Sequence, residues 1–469
     1  MVLRRREILK GLALGATVGV VGLPTAAATG TERVFVHPRG GVVGDVLNAV
    51  EAVGGTTVFQ YQNFDFVAAE IPSDSRETLL SDLRIAFIED DDAMGVPSDW
   101  TPSVPNLPGI GGDIDCSTHP NQRPSWGHER IGADAVEQDG TGVDVGVLDT
   151  GIETDHCSLE VVGGRNFTES GLSSDYEDNH GHGTHVAGIV GALDNDIGVV
   201  GVAPNANLHA VKVLDDNGAG RYSALVAGID WCLSNDVELI SMSLGGESDS
   251  RTVSEAIEAA HSAGHLLLSA AGNSGNDGNG SCDEETMTFP ATHDDVVAVS
   301  AMDEDDTFAS YSSVGSAIDL MAPGTNIDST YIDNEYARAS GTSAACPFVT
   351  GVAALLWQAR EADGPGPNEA VRRGLTETAE TVLGTCEEGY GLVDARTATG
   401  EGRDAPDADD DADGDGRQPT DDGTAGSPSH NDDETANGTV QQEGQSTSVF
   451  RWFERLLENV LGWIRRHFS

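Results

Sequence analysis

The chain has 469 residues, and 78 Asp and Glu against 25 Lys and Arg give it a formal net charge of −53 at pH 7. A negative charge of this size argues against nucleic acid or an anionic membrane surface as the main partner. Outside the N-terminus, no uncharged apolar run is long enough to cross a bilayer, which rules out a polytopic membrane protein.

The acidic residues are spread along the whole chain, and lysine is nearly absent, with 2 Lys against 23 Arg. Concentrated cations would screen the self-repulsion that such a surface suffers in dilute buffer. The composition therefore predicts adaptation to molar salt. The alternative is an ordinary acidic secreted protein.

Residues 1–28 have the pattern of an export signal. A basic stretch at 4–10 precedes the apolar run 11–23, and three alanines form a cleavage site of the Ala-x-Ala type. The pair Arg5-Arg6 resembles a twin-arginine signal, which implies that the protein folds before it is exported. An ordinary secretory signal or a membrane anchor is the alternative, and in each case the protein leaves the cytoplasm. The predicted location is extracellular.

Residues 29–95 have the pattern of a small α+β unit. Strands are expected at 33–37, 56–60, 64–71 and 85–89, and helices at 43–53 and 76–83. This order, β-α-β-β-α-β, is the ferredoxin-like split. Residues 96–121 are rich in Pro and Gly, which predicts a linker.

Residues 122–398 alternate short apolar strands with helices, which predicts an α/β domain with a parallel sheet covered by helices. The strand candidates include 143–148, 208–213, 239–243, 266–270 and 296–300.

The C-terminal part changes composition twice. Residues 399–446 are dominated by an acidic, Gly- and Pro-rich stretch, which predicts a disordered tether. Residues 447–469 have apolar side chains at helical spacing, but too many charges to span a bilayer. This predicts an amphipathic helix, with a membrane or cell surface as one expected partner and its own domain as the alternative.

Export permits the six Cys to form disulfides, and the sequence does not choose among the pairings. Cys116, Cys282 and Cys386 lie in Gly- or acid-rich, loop-like surroundings and are the stronger disulfide candidates. Cys232 lies in an apolar helical segment and is expected to be a buried thiol. Cys346 is expected to fill the core.

Three segments carry the groups that acyl transfer requires. Asp149 ends the buried strand 143–148, His182 begins a Gly-rich helix and Ser343 lies at the entry of an apolar helix. The carboxyl ends of parallel strands are where such sheets bind ligands. Ser343 needs a base to act as nucleophile, and His182 can take its proton near neutral pH and return it to the leaving amine. A buried Asp149 would fix the imidazole tautomer.

The order Asp, His, Ser, with the motifs Asp-Thr-Gly, His-Gly-Thr-His-Val-Ala-Gly and Gly-Thr-Ser-x-Ala-x-Pro, resembles the subtilisin-like serine proteases, whose known chain order it matches. The resemblance covers 122–397, and the acidic composition and export signal make the chain similar to the halolysins of halophilic archaea. It implies a subtilisin fold and a serine endopeptidase that cleaves through an acyl-enzyme on Ser343. It also implies that 29–95 is an inhibitor-type propeptide, removed by self-cleavage within 90–121.

The resemblance implies further site residues. Asn273 would donate its amide to the developing oxyanion, beside the backbone N–H of Ser343. Two edges would clamp an extended peptide as an added strand, and Gly suits both because a second backbone must approach closely. These edges are Ser243, Leu244 and Gly245 on one side and Gly218, Ala219 and Gly220 on the other.

The segment 192–199 resembles the tight calcium loop of the family, and calcium is the one cofactor expected, with no organic cofactor. The expected ligands are Gln122, Leu193, Asn195, Ile197 and Val199. The family has a carboxylate nine residues after the catalytic Asp, and Ser158 stands there instead. The lost charge weakens the site unless sodium or another acid compensates. A zinc site at the neighbouring histidines is disfavoured because no His-Glu-x-x-His motif or acidic ligand pair accompanies them.

The expected partners are protein or peptide substrates and the chain's own propeptide. Ser274 follows Asn273, and no charge is evident near the expected P1 pocket, which favours broad, apolar-preferring specificity. The alternatives are a narrow processing protease and a non-catalytic relative that binds peptides without turnover.

Overall fold

A computed structural model describes residues 30–97, 100–104, 122–275, 285–360, 367–384 and 386–401. The chain divides into two units, 1–405 and 406–469, and all the described residues belong to the first. The predicted signal at 1–28, the acidic stretch from 402 to 446 and the amphipathic helix at 447–469 lie outside the described residues. Cys116 and Cys282 lie outside them as well.

Residues 30–90 form a four-stranded antiparallel sheet with two helices. The strands are β1 (Thr31–Pro38), β2 (Thr56–Gln60), β3 (Val67–Pro72) and β4 (Ile85–Asp90). The helices are α1 (Val43–Ala52) and α2 (Arg76–Leu80). The sheet order β2-β3-β1-β4 and the chain order β-α-β-β-α-β confirm the expected ferredoxin-like arrangement.

A parallel sheet of seven strands forms the centre of the larger α/β part. Its strands are β6 (Asp144–Asp149), β7 (Val161–Asn166), β8 (Asn207–Lys212), β10 (Leu239–Met242), β11 (Leu266–Ala270), β12 (Val296–Met302) and β13 (Leu320–Pro323). Their order is β13-β12-β11-β10-β6-β8-β7. From β6 the chain passes to the edge strand β7 and returns to β8, which pairs with β6. It then crosses to β10 on the other side of β6, so β6 lies at the switch point where such sheets bind ligands.

Helices cover both faces of this sheet. They are α3 (Trp126–Arg130), α4 (His182–Gly191), α5 (Tyr222–Ser234), α6 (Arg251–Ala263), α7 (Thr342–Ala359), α8 (Pro367–Glu377) and α9 (Ala395–Thr399). Residues of α4 and α7 belong to one hydrophobic core, and residues of α5 and α6 belong to the other. Among the described helices, α7 alone is long and apolar enough to cross a membrane, and 83% of its apolar window is buried inside the fold.

Short strands outside the main sheet complete the fold. β5 (Ala93–Gly95) pairs with β9 (Ala219–Arg221), and β14 (Ile327–Tyr331) forms a hairpin with β15 (Glu335–Ala339). Both pairs are antiparallel, and both lie in segments for which the sequence patterns predicted no strand.

The cysteines agree with the expectations where they can be compared. Cys232 and Cys346 are free and buried, and burial raises the pKa of the Cys346 thiol to about 12. Cys386 is disulfide-bonded as expected. Cys157 is also disulfide-bonded, although its sequence context did not single it out.

The N-terminal sheet is apolar on both faces. Val34, Val36 and Ile71 pack with α1 in a small core of their own. Phe35 and Phe66, on the opposite face, belong to the same core as residues of α5 and α6. This unit therefore buries its second face only by docking on the larger part of the chain.

Two carboxylates of the N-terminal unit bind the N-termini of the helices on which it docks. Glu89 accepts hydrogen bonds from the backbone N–H groups of Arg251 (2.8 Å) and Thr252 (2.9 Å) at the start of α6. Asp91 accepts from the N–H (2.8 Å) and hydroxyl (2.6 Å) of Ser223 at the start of α5. Negative groups at helix N-termini satisfy unpaired donors and interact favourably with the helix dipole.

His37 lies buried in the same contact. Its Nε2 lies 2.8 Å from Thr252 Oγ1, its ring stacks on Phe87 at 4.0 Å, and Glu255 lies 3.6 Å from Nδ1. Burial, assisted by the Arg251 guanidinium, lowers the pKa of His37 from 6.5 to about 3. Neutral His37 is therefore the form that this contact holds.

We predict that the His37 contact loses stability as the pH falls. The unfolded chain protonates this ring below pH 6.5, but the folded chain does so only near pH 3. The contribution of this contact to the free energy of unfolding is thus complete above pH 6.5 and about 2 kcal/mol smaller at pH 5. Thermal unfolding at pH 7 and pH 5 measures this loss of stability. The Ser343→Ala chain is used because it should not cleave itself, so the N-terminal unit stays attached. The double variant carrying His37→Gln should lose less stability between the two pH values, and an equal loss would contradict the assignment.

Candidate active site

The topology pairs Asp149 with His182 and places Ser343 on α7, the helix that packs against α4. Asp149 ends β6, His182 begins α4, and Ser343 lies in the first turn of α7. Asp149 Oδ1 lies 2.7 Å from His182 Nδ1, and at most 2% of each of the three residues is exposed. Within the described residues, His182 Nε2 is buried without a hydrogen-bond partner. That nitrogen is the atom that a general base needs free.

A buried carboxylate that the sequence analysis did not single out holds this arrangement. Asp178 accepts hydrogen bonds from the Thr150 hydroxyl (2.9 Å) and from the N–H (2.9 Å) and hydroxyl (2.7 Å) of Thr184 in α4. The N–H of Thr150 in turn donates to Asp149 Oδ1 at 2.7 Å. Asp178 thus links the end of β6 to the helix that carries His182. Its signal in the sequence is an Asp just before a helix N-terminus.

The Gly-rich start of α4 reflects a close approach. A Cβ on Gly183 would lie 2.1 Å from the Gly151 carbonyl oxygen and 3.1 Å from Asp149 Cβ. Only Gly lets the helix pack this tightly against the end of β6. The distance between His182 and Asp149 therefore depends on backbone contact as well as on their hydrogen bond.

Asn273 lies beside Ser343, as the resemblance implied. Its Oδ1 accepts hydrogen bonds from the N–H and hydroxyl of Thr342, both at 2.9 Å, which orients the amide. A Cβ on Gly341 would lie 3.0 Å from both Asn273 Nδ2 and Ser343 Oγ. The two atoms therefore face the same small space, which Gly341 leaves open with φ at +152°. A carbonyl oxygen in this space could take a hydrogen bond from Nδ2.

The two predicted substrate edges are filled by the chain itself. β5 lies between them, with Met94 opposite Gly220 on one edge. On the other edge, Gly95 and Gly245 exchange two backbone hydrogen bonds, of 3.0 and 3.1 Å. The Val96 N–H then donates to the Gly218 carbonyl oxygen at 2.9 Å. Residues 93–96 therefore occupy the cleft as an added strand.

Two other edge residues have separate positions. Leu244 lines the pocket beside the cleft. Ser243 is buried, and its hydroxyl donates to the Ser343 carbonyl oxygen at 3.0 Å. The Ser243 side chain therefore supports the first turn of α7.

A cavity of about 280 Å³ opens beside Asn273. Among the described residues no charged side chain lines it, and the uncharged P1 region expected from the sequence stays a prediction. The lining residues are Gly95, Val96, Pro97, Leu244, Gly245, Ala270, Gly272, Asn273, Ser274 and Thr288.

The described segment 100–104 lies against His182 and the hairpin strand β15. The Trp100 ring lies 4.9 Å from the His182 ring and 5.2 Å from the His180 ring, measured between centroids. Farther on, Ser103 and Arg338 exchange two backbone hydrogen bonds of 2.8 Å. Residues 93–97 therefore lie against the two substrate edges and the cavity beside Asn273, whereas residues 100–104 lie against His182 and β15.

The predicted calcium loop has an oxygen-rich geometry. The Gln122 amide nitrogen donates to the carbonyl oxygens of Leu193 (2.5 Å) and Val199 (2.9 Å), so both oxygens point at the same group. The other two expected ligands are engaged elsewhere. Asn195 Oδ1 accepts from the Ile197 N–H at 3.1 Å, and the Ile197 carbonyl oxygen accepts from the hydroxyl of Ser158 at 3.2 Å.

Comparison with known proteins identifies the family. Residues 140–416 match the model of the subtilase family. The chain is 43% identical over 280 residues to subtilisin DY of Bacillus licheniformis, which covers 59% of this chain and 99% of that protein. It is 36% identical over 354 residues to subtilisin NAT of Bacillus subtilis subsp. natto, covering 75% and 85%. It is 45% identical over 260 residues to a thermostable alkaline protease of Halalkalibacterium halodurans, covering 55% and 68%.

These matches cover more than half of the chain and nearly the whole of the first relative. The family and the fold predicted from the sequence are thereby confirmed, whereas the finer likeness to halolysins stays a prediction. The chain belongs to the subtilase family and is a subtilisin-type serine endopeptidase, with proteins as its substrates.

Proposed function

We propose that the chain is a secreted, salt-adapted endopeptidase in which Asp149, His182, Ser343 and Asn273 carry the chemistry. The observation that supports these roles best is the buried 2.7 Å contact between Asp149 Oδ1 and His182 Nδ1, which leaves Nε2 without another hydrogen-bond partner among the described residues. Broad specificity is favoured over a narrow processing role, because the described residues that line the cavity beside Asn273 carry no charge and would accept many side chains.

In this mechanism Ser343 Oγ attacks the scissile carbonyl carbon while its proton passes to His182 Nε2. The carbonyl oxygen becomes an oxyanion, which accepts hydrogen bonds from Asn273 Nδ2 and the Ser343 N–H. Asp149 keeps the proton on Nδ1 and stabilises the imidazolium. His182 then protonates the leaving amine, and the C–N bond breaks to leave the acyl-enzyme. Water, deprotonated by His182, attacks the ester and releases the acid product.

We predict that Ser343→Ala abolishes casein hydrolysis in molar salt. Asn273→Ala should lower kcat by roughly 10²–10³, the range known for one such donor in subtilisin itself, with little change in KM. Both variants should keep their fold, measured by circular dichroism. Residual turnover by folded Ser343→Ala at the wild-type rate would reject the acyl-enzyme assignment.

Salt adaptation is supported by the absence of exposed lysine in the described part of the chain. Lys212 is the only lysine in the described residues, and 2% of it is exposed. Its Nζ donates to the Thr150 carbonyl oxygen and lies 3.1 Å from Asp216. The described surface therefore has no lysine amine, and its arginines are too few to balance the carboxylates, since the chain has 78 Asp and Glu against 25 Lys and Arg. Dissolved cations would screen the excess charge. The proposal expects loss of structure in dilute buffer.

We further propose that residues 29–95 act as an intramolecular inhibitor that is cut from the enzyme. Its sheet docks on α5 and α6, and β5 fills both substrate edges. Residues up to Val96 pair with these edges, whereas Trp100 already lies beyond the His182 ring. The bond presented to Ser343 therefore falls between Val96 and Trp100.

We predict that the first self-cleavage creates a new N-terminus at one of the residues 97–100. N-terminal sequencing or intact-mass measurement of freshly processed protein locates it, and the Ser343→Ala chain should stay uncut. Later trimming toward residue 122 is compatible with this order of events. A first cut on the N-terminal side of Gly95 or beyond Trp100 would contradict the register.

Calcium at the loop 193–199 is also proposed. Support comes from the two carbonyl oxygens that converge on the Gln122 amide, since a rotated amide would add its own oxygen to them. The position of the missing carboxylate is taken by Ser158, which pairs with the Tyr336 hydroxyl at 2.7 Å. Without that charge, we infer that calcium binds weakly.

We predict that Ser158→Asp increases the stabilisation by calcium. The new carboxylate should raise the gain in unfolding free energy at millimolar calcium by about 1–3 kcal/mol. Thermal unfolding with calcium and with excess EGTA measures the gain, and Ser158→Asn, which adds no charge, is the matched control. If the wild type, the Asp variant and the Asn variant respond equally, the loop is not the calcium site.

A further inference from the structure

We propose that this endopeptidase recognises an aromatic side chain on the leaving-group side of the scissile bond. The subsite is formed by His180 and Tyr331, and the backbone edge of β15 at Arg338 binds the peptide beyond it. The inference rests on the proposed proteolytic function and adds a preference to it. Its occupant in the structure is Trp100 of the chain itself.

The direction of the chain assigns Trp100 to the leaving group. Residues 93–96 pair with the two acyl-side edges, and Pro97 lines the cavity next to Asn273. The chain then reaches the rings of His180 and His182 at Trp100. When Ser343 attacks a carbonyl between these points, Trp100 lies in the half that departs as the amine.

The contact has the geometry of aromatic packing. The rings of Trp100 and His180 are nearly parallel, with a 26° angle and 5.2 Å between centroids. The Tyr331 ring also lies near the indole, with 6.4 Å between centroids and a 39° angle between the planes. Such pairs contribute roughly 0.5–1.5 kcal/mol beyond their buried area. An aliphatic or small side chain at the same place would lose this contribution.

The walls of the subsite are held in place. A Cβ on Gly181, whose φ is +98°, would lie 2.2 Å from the Tyr331 ring, so Tyr331 packs directly on the N-terminus of α4. Burial lowers the pKa of His180, with the neighbouring His182 adding to the effect. At neutral pH the His180 ring is therefore an uncharged aromatic surface. A fixed wall loses little conformational entropy when a substrate side chain binds.

The edge of β15 extends the recognition beyond Trp100. Arg338 exchanges two 2.8 Å backbone hydrogen bonds with Ser103, in the manner of an added strand. Its side chain is turned away into a two-bond contact with Asp328, of 2.8 and 2.7 Å. The Ser103 hydroxyl adds a 3.3 Å hydrogen bond to the Arg338 carbonyl oxygen, but the two backbone hydrogen bonds do not depend on the side chain. The pairing therefore aligns the residue three positions earlier with the aromatic subsite.

The test uses two fluorogenic peptides with the sequence of residues 93–104, one natural and one with Trp100 replaced by Ala. The wild-type enzyme, processed by itself and titrated for active sites, should cleave the Trp peptide with a kcat/KM about threefold to tenfold higher. Mass spectrometry should place the cut N-terminal to the Trp. Tyr331→Ala should lower the ratio of the two kcat/KM values, although His180 still contacts the Trp ring, and Tyr331→Phe should preserve it.

Tyr390→Ala, a tyrosine substitution outside the cleft, is the matched control and should preserve the ratio. If Tyr331→Ala does not fold, Tyr331→Leu removes the ring while filling the space. A ratio near one in the wild type, a ratio unchanged by loss of the Tyr331 ring, or a cut C-terminal to the Trp would overturn the subsite. So would cleavage of casein without cleavage of the Trp peptide. If folded enzyme cleaves neither casein nor peptide, the proteolytic function fails as well.

Discussion

The buried Asp178 carboxylate joins the end of β6 to the start of α4, the two segments that carry Asp149 and His182. It binds Thr150 at the end of β6 and Thr184 in the first turn of α4, while Gly183 lets the two backbones touch. Asp149 and His182 therefore stand on rigid elements whose spacing is fixed before any substrate arrives. Preorganised groups of this kind need no rearrangement at the moment when charge develops.

In the proposed zymogen, the docking of the N-terminal unit and the blocking of the cleft are one event. The Asp91 carboxylate binds the start of α5, and only Asp92 separates it from the strand β5 that enters the cleft. The docked position of the small sheet therefore sets the register in which β5 pairs with Gly220 and Gly245. A few residues after β5, Trp100 contacts the His182 ring. The stretch 93–104 therefore contacts the substrate edges as well as the histidine.

Much of this could be predicted from the sequence, for identifiable reasons. Period-two and helical patterns located the ferredoxin-like strands and the central β6, β8, β10, β11 and β12, because buried strands leave apolar runs. The motifs located Asp149, His182 and Ser343. The three-residue strand β5 escaped, since its pairing depends on a partner distant in sequence. Asp178 and Trp100 escaped because their importance lies in tertiary contacts that no local pattern records.

The burial of Lys212 has a chemical consequence. The sequence contains only Lys10 and Lys212, and Lys10 lies in the segment that export would remove. The exported protein then carries one lysine amine, shut inside the fold against the Thr150 carbonyl oxygen. Amine-directed acylating reagents would find a single reactive partner, the α-amino group created by maturation. A covalent label or a solid support could therefore be attached at one defined end of the enzyme, through an amine reaction that leaves the Ser343 hydroxyl unmodified.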